Sequence, residues 1–347
     1  MIIGFLFVVS VISHISNFQI YSHMDILPIH RIRNEGNTCY MNSVIQALFS
    51  SLHFREYITT CEEFTNDENG LASWFKILFT EMKNNTINTL VSLKPLFNTL
   101  KARIGSIMEL FQENDAMEFI TVLIDELAKD YKAPYTPEGK RFCPDPSFAK
   151  LDVLMKKHWV NSHTDALSAF NDIVYGQHII QVRCAQCRHS SHRGEPFISL
   201  DLAIHGDTTV NMLDLLHTAF NCESISDRTC DKKCGKTPGV RSSRIWRIPK
   251  MLAINLKRFH GYKKITTPVT VPDTLDLQKY SLFCGNTNYQ IRAIICHVGQ
   301  LQSGHYYALV KRETVWYIVD DDVFPQPITD IQPYARTFYV VIYDSVV

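Results

Sequence analysis

The spacing of apolar residues changes partway along the chain, and that change limits the folds open to it. Met41, Val44, Ile45, Leu48 and Phe49 fall at i, i+3, i+4, i+7 and i+8, on one face of a helix. A second stretch, DAMEFITVLIDELAKDY, sets Met117, Ile120, Leu123, Ile124 and Leu127 on one side. Beyond it come short β-rich runs separated by turn residues: HIIQVRC, FISLDL, MLAINLKRF, YQIRAIICHV, YYALVK, VWYIVD and TFYVVIYD. Helices followed by a mainly antiparallel β half make an α+β arrangement. The border is expected in the Pro-rich stretch between Ala133 and Pro146, giving a helical lobe over 30–140 and a β-rich one over 141–347. No internal repeat, low-complexity tract or Gly/Ser-rich linker divides the chain.

Composition narrows the partners. With 46% hydrophobic and 20% charged residues, the 347-residue chain resembles an ordinary protein with a sizeable core. Its 35 basic residues balance 35 acidic ones, so no global field favours nucleic acid or an anionic membrane. A macromolecular partner must then be recognised by a local surface. Ten cysteines are too sparse for a disulfide scaffold. Four stand in two close pairs, which suits metal binding in a reducing compartment, cytoplasmic or nuclear.

Residues 1–29 read as an apolar leader or extension outside the fold. IIGFLFVVSVIS, from Ile2 to Ser13, is shorter than the about 20 apolar residues a spanning helix needs and lacks a positive flank. Translation starting at Met24, a disordered extension, a membrane anchor and secretion all remain open. Any membrane association would run through this segment.

The segment Asn34-Glu-Gly-Asn-Thr-Cys39-Tyr-Met-Asn42 carries chemistry. Gly36 permits a tight turn, and Asn37 or Thr38 can cap the helix that follows. Cys39 then sits at a helix N-terminus, where free N–H groups and the macrodipole favour negative charge. Thiolate is the nucleophilic form of cysteine, and the same N–H groups can stabilise an oxyanion. On its own, such a cysteine is more often a small buried hydrophobe.

A thiol nucleophile needs a base and a group to orient it. Downstream, two β-like runs flank Lys311-Arg312-Glu313-Thr314 and suggest a hairpin centred between Arg312 and Glu313. In that register His305 faces Asp320, with Cβ atoms about 5 Å apart on the same face. Asp321 points to the other face, and a slip of one residue would exchange the two acids. Arg-Glu is a poor tight-turn pair, so a longer loop is an alternative. His297, eight residues earlier, is assigned no role, and Lys263-Lys264 reads as solvated surface.

Cys184-Ala-Gln-Cys187 and Cys230-Asp-Lys-Lys-Cys234 have spacings that can close a tetrahedral, structural zinc site of four thiolates. Cys222 is a weaker substitute ligand. A remnant site without metal is the alternative.

Four segments in order resemble motifs of the ubiquitin-specific protease family. Gly36-Asn-Thr-Cys39-Tyr-Met-Asn42 resembles its cysteine box. Gly304-His305-Tyr306, with Trp316 and Asp320-Asp321, is similar to its histidine box. Asp115-Ala-Met-Glu118-Phe119 and Leu252-Ala-Ile-Asn-Leu-Lys-Arg-Phe259 resemble two segments between them. The resemblance runs from Arg33 to the C-terminus. It implies a papain-like catalytic domain over 30–347, with helical thumb, β-rich palm and zinc-bearing β fingers. It further implies a cysteine-type deubiquitinase that cleaves after the C-terminal glycine of ubiquitin, acting on ubiquitin and ubiquitinated proteins. By the same resemblance Cys39 is the nucleophile, His305 the base, Asp320 the orienting group and Asn34 the oxyanion donor. Asp115 and Glu118 match positions that hold the ubiquitin tail. Glu113 and Asn114 depart from the family's two glutamines, and the second cysteine pair has one residue more than usual. A catalytically weak ubiquitin-binding scaffold and a protease for another ubiquitin-like modifier keep the same motifs. A zinc-ribbon interaction module explains neither box.

Overall fold

The computed structural model describes residues 27–62, 70–84, 89–131, 135, 148–164, 166–232, 234–261, 263–282, 285–300 and 303–346. The apolar segment from Ile2 to Ser13, Met24 and most of the stretch from Ala133 to Pro146 lie outside them. Among the described residues, no helix is long and apolar enough to cross a membrane.

Helices come first: α1 Cys39–Ser50, α2 Leu52–Thr60, α3 Leu71–Asn84, α4 Lys94–Ile104, α5 Ala116–Asp130, α6 Ala149–Ser162 and α7 Ala169–Val174. The helical part thus runs on past residue 140. The periodicity around Met41 predicts an amphipathic helix, yet every residue of α1 is buried. Its polar side chains have protein partners. Asn42 donates to the Ile32 and Arg33 carbonyls, Gln46 to that of His30, Ser43 to that of Tyr40 and Ser50 to that of Gln46. A helix with Asn42, Ser43, Gln46 and Ser50 can therefore run through the core, because the donors of these side chains find protein carbonyls. Its apolar side chains contribute roughly 2 kcal/mol each through burial.

The β half holds two main sheets. A four-stranded sheet comprises β1 Gly176–Cys184, β2 Ser190–Phe197, β4 Glu223–Thr229 and β5 Lys236–Arg247, in the order β2-β1-β5-β4. Between β2 and β4 the chain contributes β3 Ser199–Ala203 to the other sheet and then forms α8, Met212–Ala219. The other strands of the larger sheet are β6 Met251–Lys257, β7 Thr274–Asp276, β8 Asn288–Gln300, β9 Ser303–Arg312, β10 Val315–Val319, β11 Gln326–Ile328 and β12 Phe338–Ser345. The larger sheet has the order β11-β10-β9-β8-β12-β6-β3, with β7 also paired to β8. All its neighbours are antiparallel except β3 and β6.

Successive residues of its central strands feed opposite cores. Ile295, Ala308, Val310, Val340 and Ile342 pack with α1 and the other helices. Ile294, Cys296, Leu309, Val341 and Tyr343 pack with Met212, Leu215 and Leu216 of α8. Both faces are covered, so these strands read as continuous apolar runs. β6 is followed by Arg258, a fully buried side chain that donates to the carbonyls of Phe338, Ile265, Thr267 and Ala335.

The β9–β10 hairpin differs from the expected register. Arg312 pairs with Val315 and Ala308 with Val319, so the turn is Glu313-Thr314, with Glu313 at φ 52°. Arg312 belongs to the strand because its guanidinium turns inward and donates to Ser50 Oγ at 2.9 Å. The shift is two residues, which preserves side-chain facing. Asp320 therefore stays on the His305 side, although it lies beyond the last ladder pair.

Candidate active site

Gly36 at φ 106° and Asn37 at φ 51° turn the chain sharply into α1, whose first residue is Cys39. Thr38 occupies the cap position, but no side chain caps the helix. Its hydroxyl instead accepts from the Glu35 N–H and donates to Asn34 Oδ1. Asn37 is likewise no cap; its amide donates to the Phe111 carbonyl. The expected capping is thus replaced by a knot within the preceding loop, and the first N–H groups of α1 receive no side-chain acceptor.

His305 comes from β9, which packs against α1. Its Nε2 stands 2.6 Å from Asp320 Oδ1. The hydrogen bond to Asp320, and then the neighbouring Cys39, raise the His305 pKa from its usual 6.5 to about 10. With Nε2 engaged by the carboxylate, Nδ1 is the ring nitrogen left to face the sulfur. A protonated imidazole held between Cys39 and Asp320 is the arrangement a thiol nucleophile requires.

Asp321, at φ 44°, keeps its carboxylate within 4.8 Å of His305 and Asp320 but engages two side-chain amides. It accepts from Asn42 at 2.7 Å and from Asn34 at 2.7 Å. Asn34 Oδ1 in turn accepts from the N–H groups of Gly36 and Thr38. Asn34 is therefore fixed at both ends of its amide, which leaves one N–H on Nδ2 for a further acceptor. Burial pushes the Asp321 pKa up, against the lowering effect of the two amides. Sequence reasoning missed this bridge because it joins residues from the two ends of the chain; the polar Asn42 inside an apolar helical run was its only local signal.

Beside Cys39 opens a cleft of about 200 Å³, lined in part by Glu113, Asp115, Glu118, Phe259, His297 and Gly304. Asp115 and Glu118 reach it in different ways. Asp115 Oδ1 caps α5 by accepting from the N–H groups of Met117 and Glu118, and its Oδ2 accepts from the Tyr339 hydroxyl. Glu118 is exposed. Glu113 Oε2 accepts from the Gly304 N–H at 3.4 Å, so the residue that departs from the family pattern touches the histidine strand. The His297 ring packs so tightly on Gly304 that a Cβ there would stand 2.0 Å from Nε2. Burial, with the nearby Lys264 and His305, lowers the His297 pKa to about 4. It is neutral near pH 7 and adds no positive charge beside His305.

The family model described as "Ubiquitin carboxyl-terminal hydrolase" matches residues 30–343. The chain belongs to that family. Ubiquitin carboxyl-terminal hydrolase 5 of Saccharomyces cerevisiae is 26% identical over 93% of this chain, which spans only 45% of the yeast protein. Ubiquitin carboxyl-terminal hydrolase 4 of Arabidopsis thaliana is 27% identical, with 83% of this chain and 82% of the relative covered. Ubiquitin carboxyl-terminal hydrolase 12 of Salmo salar is 27% identical, with 84% and 79% covered. A solved structure of the yeast SAGA DUBm with an Sgf73 mutant superposes with a TM-score of 0.70 at 18% identity, covering 94% of this chain and 70% of that one. The fold is the α+β, papain-like one of ubiquitin-specific proteases.

In this hydrolase fold the four paired cysteines converge. The sulfurs of Cys184, Cys187, Cys230 and Cys234 all lie within 4.8 Å of one another, and Cys222 is not among them. Cys184 ends β1, and Cys230 follows β4 directly. Zn–S bonds of about 2.3 Å would set the sulfurs of a tetrahedral site about 3.8 Å apart. Cys187 and Cys230 stand at 3.6 Å. Hydrogen bonds from Thr237 and the Cys187 N–H hold the Cys184 thiol down at about 6. Cys187 and Cys230 push Cys234 up to about 12. Four converging thiols at this spacing are the donor set of a tetrahedral zinc site, so the residues fit structural zinc. The ion would tie the ends of two hairpins, with no part in the chemistry at Cys39.

Proposed function

We propose that this chain is a cysteine-type deubiquitinase that hydrolyses the isopeptide or peptide bond after the C-terminal glycine of ubiquitin. The observation that carries the reading is Cys39 lining a cleft beside His305, which is hydrogen-bonded to Asp320. Cys39 as thiolate attacks the glycine carbonyl, and His305 gives its proton to the leaving amine. His305, now neutral, takes a proton from water as that water attacks the thioester, releasing ubiquitin and restoring the Cys39 thiolate beside protonated His305. The N–H groups at the start of α1 and the remaining Asn34 N–H stabilise the oxyanion. Asp321 acts through Asn34, which it holds in place. Glu118 contacts the substrate tail, whereas Asp115 positions it through the start of α5.

The test is release of a fluorophore amide-linked to the ubiquitin C-terminus. The native chain should turn it over and Cys39→Ala should not. Equal rates would refute the assignment of the nucleophile. Failure of the native chain, beside turnover of another ubiquitin-like conjugate, would change the modifier.

A further inference from the structure

The cleft wall opposite Asp115 and Glu118 is assembled from separate pieces. Phe259 belongs to a small two-rung hairpin, Phe259–His260 with Lys263–Lys264, that forms no ladder with the larger sheet. His297 lies near the end of β8, and Gly304 at the start of β9. The pairing of β8 with β12 stops at Cys296–Phe338. The His297 N–H still reaches the Thr337 carbonyl, at 2.8 Å. Beyond that point β8 has lost its neighbour on this edge, and the carbonyls of His297 and Gly299 have no strand to donate to them. The His297 carbonyl is half-buried and needs a donor, whereas that of Gly299 is exposed.

Lys264 supplies it. Its ammonium donates to the His297 carbonyl at 2.8 Å and to the Gly299 carbonyl at 3.1 Å. It stands directly across the hairpin from Phe259, with Nζ 6.0 Å from the centre of that ring. Among the described residues no carboxylate pairs with it. Lys264 is thus not the solvated surface residue its sequence suggests. The Phe259 and His297 rings meet edge to face at 5.4 Å, and His297 presses on Gly304, the residue before His305.

We propose that Lys264 is a positioning residue, a clamp that replaces the missing strand and fixes the His297–Gly304 wall against Phe259 so that the cleft fits a narrow peptide tail. The inference rests on the deubiquitinase reading for its substrate, but the clamp itself does not. Lys264→Met takes the donor from the half-buried His297 carbonyl and frees the wall. Lys264→Arg keeps a cation able to reach at least one of the two carbonyls.

The experiment compares native protein, Lys264→Met and Lys264→Arg on a ubiquitin C-terminal fluorophore amide. Alkylation of Cys39 by iodoacetamide without ubiquitin is measured in parallel. Loss of a charge-assisted hydrogen bond should raise KM about tenfold in Lys264→Met. The value of kcat and the alkylation rate should stay within about twofold, and Lys264→Arg should recover most of the loss. Unchanged KM, or kcat and alkylation falling together with it, would overturn the proposal, as would an arginine variant no better than methionine. Amide exchange at His297, Val298 and Gly304 reads the clamp without substrate. Faster exchange in Lys264→Met is expected, and unchanged exchange overturns the clamp whatever the enzyme cleaves. A native chain that is alkylated normally yet ignores ubiquitin would instead count against the deubiquitinase reading.

Discussion

The start of α1 and the cysteine cluster are both built from loops that meet across long stretches of sequence, but they are held together by different means. Around Cys39 the loop is tied into the core. Asn42 and Gln46 are buried, Asp321 bridges two amides, and β8 and β9 pack behind them. The four cysteines sit at the ends of hairpins whose strand β4 is exposed or half-exposed throughout. The core beneath the four-stranded sheet is small, with Met155, Ile179 and Trp246 as its buried residues. One site is rigid because the protein is packed around it. The other has few apolar contacts to lean on, and four converging thiols take their place.

That contrast can be broken at several points. The largest effect is expected from Cys39→Ala. Turnover of ubiquitin conjugates should fall by at least about 10³-fold, while the melting temperature moves by no more than about 2 °C. A large loss of stability would show that the cysteine is a packing residue.

Asp320→Asn should come next, with a loss on the order of 10²-fold. The Asp320 hydrogen bond is the largest cause of the raised His305 pKa, so pH profiles carry the sign. In the native chain the imidazolium should be present at neutral pH and be lost as pH rises through about 10, which would set the alkaline limb of activity. In Asp320→Asn that limb should move toward the usual histidine value of 6.5. The same group adds stability below its unfolded pKa, and that contribution is lost as pH rises through the folded one. An unmoved alkaline limb would remove Asp320 from its role.

Asp321→Asn should cost about tenfold, because Asn34 and Asn42 lose a charged acceptor but His305 keeps Asp320. A larger loss than for Asp320→Asn would make the Asn34 bridge the dominant device.

The smallest effect on kcat is expected at the cysteine cluster. Purified protein should contain about one zinc per chain. Chelation should speed amide exchange at 184–189 and 230–232 and leave kcat within about twofold. Absence of zinc, or loss of alkylation at Cys39 on chelation, would erase the distinction between a packed site and a metal-held one.

Much of this architecture was legible in local patterns. Helical spacing around Met41 and Met117, the apolar runs of β8, β9 and β12, and the turn at Gly36 all depend on short-range rules. The facing of His305 and Asp320 survived a two-residue error in register because side chains alternate with period two. What local patterns could not carry was long-range polar pairing. Buried Asn42 and Gln46 look like solvent-facing positions until the strands that receive their hydrogen bonds are in place. Arg258 and Lys264 look like surface charges, but both satisfy carbonyls at places where the ladder is interrupted. Nothing local to Asp115 shows that its carboxylate both caps α5 and accepts from Tyr339.

The most direct test of the central claim is reaction of the intact protein with ubiquitin bearing a thiol-reactive C-terminal electrophile, followed by mass mapping of the modified residue. A single ubiquitin adduct on Cys39, lost in Cys39→Ala, is the predicted result. Folded protein that forms no adduct, or forms it on another cysteine, would contradict it.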